Sequence, residues 1–126
     1  GLTPEELAKG NMLKIFGLTY VFSVMITFMV MSLSVHQSGA LGMIGGSTKI
    51  NEALPSFTAF MNDYGTAFRT YKHGALHGFI TGLFFAFPVI AINGLFERKS
   101  WKYIFVNSGY WLVTLTLMGG IICAFA

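Results

Sequence analysis

Three histidines, His36, His73 and His77, are the side chains here with the most chemistry to offer. His73 and His77 are spaced i, i+4, which on a helix puts both imidazoles on one face, as helix-borne metal ligands require. His36 closes the first apolar stretch and His73 opens the second, so a chain that folds back on itself sets all three at one level. With Asp63 or Glu52 from the intervening connection, they can be assembled into a zinc or copper site. The same group can relay protons, and a haem held between His36 and one of the others is a further arrangement. The spacing alone is a weak signal, because no Glu stands where a zincin helix carries its base and the sequence fixes no third ligand. The sequence therefore favours interfacial histidines at span ends, with headgroups, water or backbone carbonyls as partners.

Other chemistry is sparse. Met25, Met29 and Met31 lie on different helical faces, which reads as packing rather than soft copper ligation. The single cysteine, Cys123, excludes an intrachain disulfide and a cysteine-based metal site, and sits in an apolar run as a small buried residue. The sequence shows no Ser/His/Asp set, phosphate-binding glycine loop or paired intramembrane carboxylate. The expectation is a chain that is not an enzyme and carries no cofactor.

The elements that must position these side chains follow from composition. Of 126 residues, 54% are apolar and 10% charged, with 13 Phe, whereas soluble domains carry about 25% charged residues. That is too little polar side chain to coat a water-soluble globule, so lipid is the expected solvent. The fold class read from the sequence is an all-α integral membrane protein of one domain. It has spans at about 13–36, 72–95 and 101–125, and a short interfacial amphipathic helix in the 37–71 connection. Thr3, Pro4 and Glu6 resemble a capping box whose helix continues past Lys9 and Lys14 into the charge-free run Ile15 to Val35. Thr19, Ser23, Thr27 and Ser34 share a stripe suited to facing another helix. The glycine-rich stretch from His36 to Ser47 reads as a loop. Phe57, Phe60, Met61, Tyr64, Phe68 and Tyr71 give the interfacial helix.

The second span carries small residues at Gly74, Gly78, Gly82 and Ala86, a gently winding groove for close helix approach. Asn93 continues that groove, with Asn107 of the third span as its expected partner; Pro88 predicts a kink. Gly109, Thr116, Gly120 and Cys123 make the matching stripe on the third span.

The basic residues are scattered, which excludes a nucleic-acid-binding face. Lys9, Lys14, Arg98, Lys99 and Lys102 lie on one side of the spans, and Lys49, Arg69 and Lys72 on the other. That bias sets the 97–102 turn in the cytoplasm of a bacterial inner membrane, with the 37–71 segment outside. The opening at Gly1, with no leader-like pattern, reads as the start of a fragment.

From HGALHGF onward the chain resembles the family named domain of unknown function 1761. The resemblance rests on Phe96, Glu97, Arg98, Lys99, Trp101 and Lys102, then Asn107, Gly109, Tyr110 and Trp111, with GLTPEEL similar to the family's linker after its first helix. It implies a four-helix membrane fold whose first helix lies upstream of Gly1, and no activity; the 37–71 connection departs from the family pattern in being longer, so no site there carries over. The functional reading is a non-catalytic accessory or structural subunit, packing in the bilayer against other membrane subunits or its own copies. The alternatives are a protein handling metal or a small molecule through the histidines, and a transporter or channel subunit with a path near Asn93, Asn107 and Pro88.

Overall fold

The computed structural model describes residues 3–5 and 10–126. Glu6 and Lys9, part of the expected capping box and lead-in helix, lie outside the described residues. The first long helix, α1 (Met12–Ser34), does not continue from Thr3: the chain bends at Gly10 and Asn11 is extended (φ −75°, ψ 95°). The Asn11 side-chain oxygen accepts the Lys14 N–H at 3.0 Å. An Asn cap satisfies an orphan donor, whereas carrying a helix through Gly10 costs about 1 kcal/mol relative to Ala.

Among the described residues, three helices are long and apolar enough to cross a membrane, α1, then α4 (Tyr71–Phe96) and α5 (Trp101–Phe125), and there is no strand. Between α1 and α4 lie α2 (His36–Met43), a 3₁₀ turn (Ser47–Glu52) and α3 (Pro55–Tyr64). The expected loop after His36 is thus corrected to a helix over its first part. Gly45 and Gly46, at φ 89° and 98°, terminate α2 by donating to the carbonyls of Gly42 (3.1 Å) and Leu41 (2.9 Å). The glycines stop a helix here rather than preventing one. The expected aromatic helix is also shorter: it stops at Tyr64, so Phe68 and Tyr71 fall outside it.

The tightest packing runs along α4 and α5. A Cβ added at Gly74 would be driven into the Gly119 carbonyl and the Cys123 side chain. At Gly78 it would meet the Leu115 carbonyl, and at Gly119 the Gly74 carbonyl. Gly82 rests on Leu112, and Gly120 faces the Tyr71 ring. Backbones meet without side chains between them, as dispersion-driven association in lipid requires.

Beyond Gly82 the groove departs from the expected register. Residues Gly82–Ala86 form a π-helical turn, in which the Phe87 N–H reaches back to the Gly82 carbonyl. The wider turn accommodates Pro88, whose ring would crowd the Phe84 carbonyl in a regular helix. It also inserts one residue, so every later position rotates by one. The buried small residues are therefore Ala91 and Gly94, while Asn93 is exposed and Ala86 only half-buried. Asn107 does not bond to Asn93; its amide donates to the Tyr103 carbonyl of its own helix at 2.8 Å. A Cβ added at Gly109 would meet nothing within 4 Å, so this glycine takes no part in the seam.

Helix α1 joins this pair only near its C-terminal end. Val30 and Ser34 are buried, and the Thr27 hydroxyl lies 3.9 Å from the Met118 sulfur. Residues 11–22 are exposed throughout. Thr19, Ser23 and Thr27 each donate to the carbonyl four residues earlier, at 2.8, 2.8 and 2.9 Å.

Candidate metal centre

The α1–α2 junction and the first turns of α4 meet at one end of the bundle, and there the three histidines converge. At Val35 the backbone leaves the helical region (φ −100°, ψ 95°), so His36 starts a new helix instead of extending α1. His73 lies in the first turn of α4, capped by Thr70, whose hydroxyl oxygen accepts the His73 N–H at 3.3 Å. His77 follows one turn later on the same face.

A ring nitrogen from each of His36, His73 and His77 lies within 4.8 Å of the others. The Nε2 atoms of His36 and His73 are 2.8 Å apart, a hydrogen bond in which one ring donates and the other accepts. Ring centroids are separated by 4.9 Å (His36–His73), 5.0 Å (His36–His77) and 4.6 Å (His73–His77). His36 is exposed and the other two are half-buried, so the cluster opens to the end of the bundle. The Phe68 ring lies beside it, 6.0 Å from His36 and 5.0 Å from His73.

These three imidazoles could hold a metal ion after small ring movements. Nitrogens of two imidazoles on a tetrahedral ion, each about 2.0–2.1 Å from it, stand about 3.3 Å apart. The His36–His73 pair needs to part by about half an ångström, and its shared proton must pass to an Nδ1 atom or to water. Three imidazoles leave a fourth position open, as in catalytic or exchangeable sites rather than closed structural ones. Neither proposed carboxylate joins the set: both Glu52 oxygens accept from Lys49 Nζ, at 2.8 and 2.9 Å, and Asp63 is not among the clustered groups. Met25 and Met29 are exposed on α1.

The candidate path at the opposite end is a shallow cleft of about 200 Å³ lined by Ile90, Asn93, Gly94, Glu97, Tyr103, Asn107 and Trp111. Pro88 does not line it.

Residues 1–123 match the family described as Protein of unknown function (DUF1761). The chain belongs to that family. The match runs through the histidine end, the α4–α5 seam and the turn between them, essentially the whole DUF1761 chain described above. No curated protein and no solved structure matches it.

Two residues at the histidine end are not singled out by the sequence pattern. Gln37 is 7% exposed and donates its amide to the carbonyls of Tyr64 (2.8 Å) and Ala67 (2.9 Å). Its position beside His36 was the available hint. Phe68 reads as one more member of an aromatic periodicity, yet it sits in a turn at φ 61°. Cys123 is fully buried, and its thiol donates to the carbonyls of Ser34 and Phe68, each at 3.4 Å.

Proposed function

We propose that this DUF1761 protein binds a transition-metal ion at the histidine end of its helical bundle, through His36, His73 and His77. The observation that carries the reading is the convergence of three ring nitrogens from separate turns within 4.8 Å. Imidazole donors suit zinc, copper, cobalt or nickel rather than magnesium or calcium. A bare proton relay across the bilayer is less well supported. Beyond His77 the Thr81 hydroxyl is turned back onto the His77 carbonyl (2.8 Å), and the seam below is closed by backbone contact at Gly78. The role is binding rather than catalysis. Following the Lys/Arg bias, the histidine end faces the outside of a bacterial inner membrane and the 97–102 turn faces the cytoplasm.

Titration of the purified chain with zinc tests this: one ion per chain is expected, with a His73→Ala/His77→Ala double variant losing it. No binding by the unaltered chain, or equal binding by the double variant, removes the reading.

A second reading, a subunit packed against other membrane helices or a second copy, is favoured by the separation of α1. Its first half carries exposed Leu13, Phe16, Tyr20 and Phe22. Stoichiometric partners retained under mild detergent are expected on that reading; a lone monomer speaks against it.

A further inference from the structure

The segment between α3 and α4 passes over the histidine cluster, tied there by Gln37 from α2 and by the Phe68 ring against His36 and His73. Gln37, the residue next to His36, is buried to within 7% and points its amide at this segment. Its Nε2 group donates to both Tyr64 and Ala67 carbonyls, so the amide orientation follows from its two acceptors. The opposite atom, Gln37 Oε1, is buried and meets no protein donor among the described residues.

One residue beyond Ala67, Phe68 takes φ 61°, a left-handed conformation that side chains other than Gly, Asn and Asp rarely adopt. Its carbonyl accepts from the Thr70 N–H at 2.8 Å and from the Cys123 thiol at 3.4 Å. The residue is 65% exposed, and its ring stands against His36 edge-on (85°) and lies tilted on His73 (32°). Strain of this kind survives only where neighbours over-determine it, and it concentrates at ligand clamps. The two rings that Phe68 touches are the two whose Nε2 atoms are 2.8 Å apart and must separate to take an ion.

Resting on the reading that the histidines hold a metal ion, we infer that Gln37 and Phe68 form a strap that fixes the rings of His36 and His73 and sets how fast the ion enters and leaves. They are positioning residues: neither offers the ion an atom. Gln37 acts through the backbone it grips, and Phe68 acts through the two imidazoles. Losing an outer contact that orients a ligand costs metal sites about 10- to 100-fold in affinity. Here the loss falls on the release rate, because the ligands themselves remain.

The test uses the full chain in lipid nanodiscs, loaded with zinc, with release followed after mixing with a chelator in excess. Gln37→Ala and Phe68→Ala are expected to keep one zinc per chain and to release it about 10- to 100-fold faster. Phe68→Tyr, which keeps the ring, is expected to restore slow release, and Phe68→Leu is not. Phe68 is mostly exposed, so its truncation leaves the α4–α5 seam intact and decides the matter even if Gln37→Ala fails to fold. Release from Phe68→Ala and Phe68→Leu at the unaltered rate overturns the strap while leaving the metal site standing. Absence of zinc from the unaltered chain overturns the metal reading itself.

Discussion

At the scale of single residues, glycine does its work here by absence of a side chain. Gly78 lets α4 rest on the Leu115 carbonyl, and any Cβ there must push the helices apart. Gly78→Leu is therefore expected to destabilise the fold by about 1–3 kcal/mol, the usual cost of overpacking. Gly109→Ala, with open space around it, is expected to leave stability unchanged or slightly raised. Thermal or denaturant unfolding in one detergent compares the two directly. Equal losses from both variants would show that the seam is not where these contacts place it. Both glycines sit on plausible stripes in the sequence, and only the facing helix tells them apart. The histidines show the same limit. The i, i+4 spacing puts His73 and His77 on one face without further information. The approach of His36 depends on the turn at Val35, where an apolar β-branched residue carries no break signal of its own.

At the scale of elements, the π-helical turn Gly82–Ala86 decides which side chains of the second half of α4 are buried. The three spans were legible because charge-free runs of about 20 residues have few alternatives. The register after Gly82 was not, since a strict helical period carried past Pro88 points Asn93 inward where Gly94 belongs. A double-variant test follows from this cause. Deleting Phe85 removes the extra residue and forces Pro88 into a regular helix, a loss expected to be about 3 kcal/mol. Adding Pro88→Ala to the deletion is expected to recover most of that stability, because the later residues then keep the faces they now show. Failure of the second change to rescue the first would mean that the wide turn has another cause. Helix α2 shows a similar limit: Gly45 and Gly46 serve as its stop, so a run of glycine marks an end as readily as a loop.

At the scale of the whole molecule, α4 and α5 form a tight pair and α1 leans on it near one end only. In a Cys123→Ala background, cysteines at Thr27 and Met118 are expected to be joined by a short bifunctional maleimide, since the Thr27 hydroxyl lies 3.9 Å from the Met118 sulfur. Cysteines at Phe16 and Asn107, further along the same two helices, are expected not to. Cross-linking at both pairs would show α1 lying along the bundle for its full length. The end where α1 does make contact is also the end where the histidines, the Gln37 clamp and the Cys123 thiol gather. Attachment of α1 and the three imidazoles thus share one end of the bundle. X-ray absorption at the zinc edge of the loaded, full chain reads the ligands themselves. Three imidazole nitrogens at about 2.0–2.1 Å with one oxygen-type neighbour are predicted. A spectrum without imidazole scattering, or one unchanged when His36, His73 and His77 are all replaced by Ala, contradicts the metal site.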